Sequence, residues 1–116
     1  FYEWDTKMKS PYYIYSINNN IMAFGGLFSS WINQANETIH TFTIITTEPN
    51  NTLSKIHHRM PLILDDNCIE LYLDHNISFD QSYKISESLL KYHKVASIVN
   101  SPANNDVSCI DSLDTF

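Results

Sequence analysis

One run of residues limits this chain more than any other. It is Thr41-Phe42-Thr43-Ile44-Ile45-Thr46-Thr47, in which every residue but Phe42 is β-branched. Branching at Cβ stiffens χ1 and crowds a helical turn, but it packs well on a pleated surface. The run therefore reads as a strand, apolar on both faces in its middle. Other short strands surround it: Phe1–Trp4, Pro11–Tyr15, Ile21–Phe24 and Leu62–Leu64, separated by the turn-forming stretches Asp5–Ser10 and Asn18–Asn20. Leu27–Ile32 fits either a strand or a short helix. Gly25 and Gly26, the only glycines in the chain, mark a bulge or a close backbone approach.

Helical signals are fewer. Pro49–Thr52 breaks the long strand and is placed to cap a short helix over Leu53–His57. Asp65–Asn67 supplies cap chemistry for a helix over Cys68–Leu73. A second helix is expected from Ser78 or Asp80, with Ile85, Leu89 and Tyr92 on one face. Val95–Val99 reads as a closing strand, and the Asn/Asp/Ser-rich tail from Asn100 as loosely held. Short strands with interspersed short helices give an α+β domain. It is expected to occupy the whole chain, with residues 1–64 as the sheet and active-site half and residues 65–116 as a helical flank with a closing strand.

Charge narrows the function classes. The net charge of −6 argues against a nucleic-acid binder when read as one number. Residues 1–64, however, carry four basic and four acidic side chains, so the whole excess lies in residues 65–116. No apolar run approaches the roughly 20 residues that span a bilayer, and no membrane partner is expected. Cys68 and Cys109 show no metal-binding or redox spacing and read as reduced, packed thiols. No metal or other cofactor is expected; the adjacent His57 and His58 lack a third ligand. His40, His75 and His93 read as surface residues, and Tyr12, Tyr13 and Tyr15 as core.

Several short motifs occur in a telling order. Tyr2-Glu3-Trp4, Pro11-Tyr12-Tyr13, Ala23–Leu27, Thr43–Thr47, Ile56-His57-His58-Arg59-Met60-Pro61, and finally Val99-Asn100 with Asn104-Asn105 ahead of Cys109 follow one another along the chain. Together they resemble the SOS-response-associated peptidase (SRAP) family, whose signatures include Tyr-Glu-Trp, Thr-Ile-Ile-Thr-Thr and His-x-Arg-Met-Pro. Gly25 and Phe28 depart from the family's Phe-Ala-Gly-Leu-Trp stretch. The resemblance implies an α+β fold with a strongly curved, barrel-like mixed sheet and flanking short helices. It also implies capture of abasic sites in single-stranded DNA. In that family an N-terminal cysteine condenses through its amine and thiol with the ring-opened sugar aldehyde, forming a thiazolidine crosslink.

Carried over residue by residue, the resemblance makes Glu3 and His57 the acid–base pair, and Trp4 and Arg59 the DNA contacts. The types suit the tasks: a carboxyl can exchange protons at a carbinolamine, and imidazole titrates near neutrality. An indole can stack on a base and a guanidinium can fork onto a phosphate. Taken without the resemblance, Glu3 reads as a solvated edge residue, His57 as structural, Arg59 as a surface charge, and Trp4 as core.

The family's cysteine and its catalytic asparagine lie upstream of Tyr-Glu-Trp and have no counterpart here. The chain opens on Phe1 inside an apolar segment, so the expected partners are abasic single-stranded DNA and the missing N-terminal half of the domain. Alone, the chain is expected to be inactive, poorly stable and rich in exposed apolar surface. The alternative is a remnant that binds single-stranded DNA weakly without covalent chemistry. Thiol autopeptidase activity ranks third. A cytoplasmic or nucleoid/nuclear location, not secretion, is expected.

Overall fold

A computed structural model describes residues 1–18, 20–74, 76 and 90–114. Among the described residues there are nine strands: β1 (Tyr2–Trp4), β2 (Pro11–Ser16), β3 (Ala23–Phe24), β4 (Gly26–Ile32), β5 (Thr38–Ile44), β6 (Thr46–Thr47), β7 (Met60–Pro61), β8 (Ile63–Leu64) and β9 (Leu90–Lys94). Among the described residues there is one α-helix, α1 (Asp66–Leu73), with 3-10 turns at Leu53–Lys55, Ser97–Asn100 and Val107–Ile110. The expected α+β class is what the chain adopts. The helix expected from Ser78 or Asp80, with Ile85 and Leu89, lies outside the described residues, as does His75. No helix among the described residues is long and apolar enough to cross a membrane.

The chain forms two compact units whose segments interleave along the sequence. The first comprises Phe1–Ile21, Glu48–Met60 and Ser88–Phe116; the second comprises Met22–Thr47 and Pro61–Glu87.

In the first unit, β1, β2 and β9 make an antiparallel sheet in that order. Glu3 stands opposite Tyr12, Trp4 opposite Pro11, and Tyr13 opposite His93. Strand side chains alternate between faces. Glu3, Tyr12 and the fully buried Ile14 therefore share one face, while Tyr2, Trp4, Tyr13, Tyr15 and His93 share the other. On the second face the rings of Tyr13 and Tyr15 stack, and His93 tilts against both. Tyr12, Tyr13 and Tyr15 are half-buried members of the sheet surface rather than core, and His93 is half-buried too.

The register corrects two expectations. Tyr92 lies in β9 and not on a helix face, because Leu90, Lys91 and Tyr92 alternate buried, exposed and half-buried against β2. The closing strand is thus Leu90–Lys94 rather than Val95–Val99. Its ladder ends where Val95 N–H donates to the carbonyl of Pro11, the first residue of β2, and the chain then turns into the 3-10 segment. The tail also differs from expectation, since it is tied down. Tyr2 Oη donates to the Cys109 carbonyl, His93 Nε2 lies 2.8 Å from the Ile110 carbonyl, and Leu113 N–H donates to Lys94. Cys109 and Cys68 are both unbridged and buried.

Among the described residues the sheets do not close into a barrel. The residues 23–32 change partner at Gly25: β3 pairs with β8, whereas β4 pairs with β5. At the switch, Gly25 N–H donates to Leu62, Ile45 N–H to Gly25, and Leu62 N–H to Ile45. A Cβ on Gly25 would sit 2.7 Å from Leu62 Cδ2, and one on Gly26 would sit 2.8 Å from the Thr43 carbonyl oxygen. The two glycines allow this close approach. Leu27–Ile32 resolves as strand, joined to β5 by a turn in which Asn36 takes a left-handed φ of 61° and the Asn33 side chain accepts from Ala35 and Glu37.

Most of Thr41–Thr47 is exposed. Phe42 and its cross-strand partner Phe28 are 81% and 83% exposed, and Leu27, Trp31, Ile32 and Ile44 are exposed as well. A two-stranded ribbon offers each strand a single neighbour, so branching fixes the strand without covering its faces. This is the exposed apolar surface expected of the chain. An open, mainly apolar groove of about 450 Å³ runs between the Phe28 and Phe42 end of the hairpin and Tyr72 and Leu73 of α1. Cys68 N–H, capped by the Asp65 carboxylate, starts that helix.

Gly26→Ala is expected to destabilise the second unit by about 1–3 kcal/mol, since the clash is with backbone rather than a mobile side-chain tip. Chemical denaturation checks this; unchanged stability would show that the hairpin can open to admit a methyl group.

Candidate functional site

The four residues singled out by the sequence, Glu3, Trp4, His57 and Arg59, all belong to the first unit. Glu3 and Trp4 sit on β1, which is an edge of the three-stranded sheet. His57 and Arg59 sit on the loop that follows the 3-10 turn Leu53–Lys55. Fifty residues separate Thr6 from Ile56, yet Thr6 N–H donates to the Ile56 carbonyl at 3.2 Å. That bond ties the end of the β1 segment to the peptide immediately before His57.

Each side of this junction is built locally. On the first side, the Asp5 carboxylate accepts from Lys7 and Met8 through Oδ1 and from Ser10 through Oδ2. The Asp5 backbone bonds Ser10 and Lys9 as well. Five bonds to one residue hold Lys9 in a left-handed conformation, φ 56°, that a lysine otherwise avoids. The Met8 N–H, the largest influence, and those of Ser10 and Lys7 hold the Asp5 carboxyl below its ordinary range.

On the second side, Asn50 organises the loop. Its Oδ1 accepts from Thr52 and Leu53, and its own N–H points at Met60 Sδ at 3.2 Å. Leu53, Ile56 and Met60 are buried anchors. The methionine of the His-x-Arg-Met-Pro signature is thus a packing and sulfur-acceptor residue, while His57 is half-buried and His58 and Arg59 are exposed. His57 N–H donates to Leu53, and the His57 ring stacks on that of His58 with centroids 4.3 Å apart.

The His57 ring is gripped through Nδ1. Arg59 N–H lies 3.2 Å from it and the Arg59 carbonyl 3.3 Å. In the neutral ring, Nδ1 accepts from Arg59 N–H and the proton resides on Nε2. In the imidazolium, Nδ1–H turns to the carbonyl. Both protonation states keep a partner at Nδ1. Half-buried Glu3 folds one carboxylate oxygen back onto Trp4 N–H at 3.0 Å, which leaves further acceptor positions. Opposite Glu3, burial first and the Asp5 carboxylate second push the Tyr12 phenol above the ordinary tyrosine value. It therefore stays a proton-bearing group at neutral pH.

Trp4 is half-buried on the opposite sheet face from Glu3, and its Nε1–H donates to Asn100 Oδ1 at 2.8 Å. Arg59 is exposed. Sequence reasoning missed Asp5, Asn50 and Asn100. Asp5 and Asn50 are ordinary turn residues whose role depends on bonds that no spacing reveals, whereas Asn100 stood inside a recognised motif without a role. Among the described residues no three His, Cys, Asp or Glu side chains are placed to hold a metal ion.

With that geometry in hand, residues 1–104 match the profile of the family described as SOS response associated peptidase (SRAP). This chain belongs to the SRAP family. It is 38% identical to the abasic site processing protein YoqW of Bacillus subtilis, over 97% of this chain and 54% of YoqW. It is 29% identical to the abasic site processing protein HMCES of Xenopus tropicalis, over 97% of this chain and 41% of HMCES. A crystal structure of a Bacteroides thetaiotaomicron protein superposes with a TM-score of 0.82 at 26% identity, covering 97% of this chain and 53% of that one. The SRAP chain therefore spans about half the length of the relatives it matches.

The Asp5 turn predicts a pH dependence. A carboxyl depressed in the folded state stabilises above its unfolded value, and that contribution is lost as pH falls through the folded one. The difference in denaturation midpoint between wild type and Asp5→Asn should be largest at neutral pH and shrink below about pH 4, the ordinary carboxylate value. A gap that does not change with pH would contradict it.

Proposed function

We propose that this SRAP chain carries the acid–base half of an abasic-site processing domain acting on single-stranded DNA. Glu3 and His57 handle protons, Trp4 and Arg59 contact the strand, and a cysteine on polypeptide outside this chain supplies the nucleophile. The observation that carries the reading is the Thr6–Ile56 bond, which laces the Tyr-Glu-Trp strand to the His-x-Arg-Met-Pro loop within one compact unit. The names of YoqW and HMCES support the substrate class. Cys68 and Cys109 are buried, in keeping with a nucleophile from elsewhere.

The chemistry runs in steps that match the groups present. The His57 imidazolium gives its Nε2 proton to the deoxyribose ring oxygen as the C–O bond breaks, and the anomeric hydroxyl loses its proton to water, so that the cyclic hemiacetal opens to the aldehyde. The cysteine amine attacks the aldehyde carbon, giving a carbinolamine. Glu3 moves the proton of the attacking nitrogen to the alkoxide oxygen and then passes the thiol's proton to that hydroxyl, which leaves as water and gives the iminium. The thiolate then closes onto the iminium carbon. One amine, one thiol and one aldehyde give one thiazolidine and one water. Arg59 would neutralise a phosphate beside the opened sugar, and Trp4 would stack on a neighbouring base.

The test fuses a cysteine-led upstream half, taken from a relative such as YoqW, to this chain and adds single-stranded DNA with one abasic site. A heat-stable crosslink is expected with the fusion and none with the chain alone. Glu3→Gln and His57→Ala in the fusion should each slow crosslinking by about 10²–10⁴-fold, the usual worth of a positioned acid or base. A correctly folded fusion that binds the DNA without crosslinking would support the remnant reading instead.

A further inference from the structure

We infer that Asn100 is a positioning residue for Trp4, setting the plane of the indole that the strand-contact reading assigns to base stacking. The inference rests on that reading and adds to it a residue with no proposed role so far.

Three observations converge. The first is the bond itself: Trp4 Nε1–H donates to Asn100 Oδ1 at 2.8 Å, across 96 residues of sequence. An indole has a single N–H donor, so an acceptor at that distance fixes the rotation of the ring about its bond to the strand. The second is the route that delivers Asn100. Trp4 pairs with Pro11, the Pro11 carbonyl accepts from Val95, and the chain beyond Val95 turns back through Ser97–Asn100. The acceptor is thus indexed to the same rung of the sheet as the donor. The third is the support under Asn100. Ser101 N–H donates to the Ile98 carbonyl, Asn104 Nδ2 donates to that carbonyl at 2.8 Å, and Asn104 N–H donates to Ser101. This accounts for the closing Val-Asn…Asn pattern: Asn104 shapes the turn and Asn100 uses it.

The arrangement has the character of an aiming device rather than a core contact. Asn100 is exposed and Trp4 only half-buried, so the bond adds little to a packed interior. What it removes is rotational freedom of a partly exposed aromatic ring, the freedom that stacking on a base would otherwise have to remove.

The experiment uses a Trp31→Phe background, so that Trp4 is the sole tryptophan, and follows its fluorescence quenching by a single-stranded oligothymidylate carrying one tetrahydrofuran abasic analogue. Asn100→Leu is expected to weaken binding roughly three- to tenfold, the scale of one ordered hydrogen bond. In a Trp4→Phe background, followed by fluorescence anisotropy of a labelled strand, the same substitution should have no further effect, because the donor is gone. An equal loss in both backgrounds would mean that Asn100 only holds the tail, and the positioning role would be overturned. If Trp4→Ala weakens binding while Asn100→Leu does not, the inference fails and the stacking reading survives. If Trp4→Ala binds as well as wild type, the stacking reading itself fails. Should Asn100→Leu unfold the tail, Asn100→Ser serves in its place. The Trp4 indole N–H resonance of the unmodified chain gives a second readout, expected to be shielded from solvent exchange; rapid exchange would overturn the proposal.

Discussion

One backbone hydrogen bond, from Thr6 to Ile56, joins the two parts of the chain on which every functional argument depends. Such a bond is worth only about 0.5–1.5 kcal/mol net. It persists because both of its ends are shaped beforehand. Asp5 closes one turn with its carboxylate, and Asn50 closes the other with its amide oxygen over three buried anchors. Small polar side chains therefore do here what a larger core would do elsewhere, and the hydrophobic anchors Leu53, Ile56 and Met60 hold the loop to the unit.

Much of this was legible beforehand, and for identifiable reasons. The β-branched run declared a strand because its propensity is local and strong; its exposure was not legible, because burial depends on a second layer that local sequence does not report. The helix at Asp66–Leu73 was visible through its Asp65 cap. Tyr92 was misread because its spacing from Ile85 and Leu89 fits a helix, while the sheet partner that decides the matter lies some 80 residues earlier, at Ile14. The tail looked loose by composition, yet its Asn and Asp side chains close turns rather than solvate a coil.

The candidate site was legible as residues but not as an arrangement. Glu3 and His57 were found through motifs that travel with the family. The means of holding them could not be found that way, since Arg59 acts on His57 through its peptide group and Asp5 acts on the β1 segment through neighbouring amides. Gly25 and Gly26 read as either a bulge or a close approach; the structure shows a close approach, and the three-way exchange among Gly25, Ile45 and Leu62 lets one length of chain serve two ladders.

The grip on the His57 ring through peptide atoms has a further consequence. Main-chain N–H and C=O groups are supplied by every residue type except proline, which lacks the N–H. Substitution at position 59 by anything but proline therefore keeps both of these main-chain bonds to the ring available.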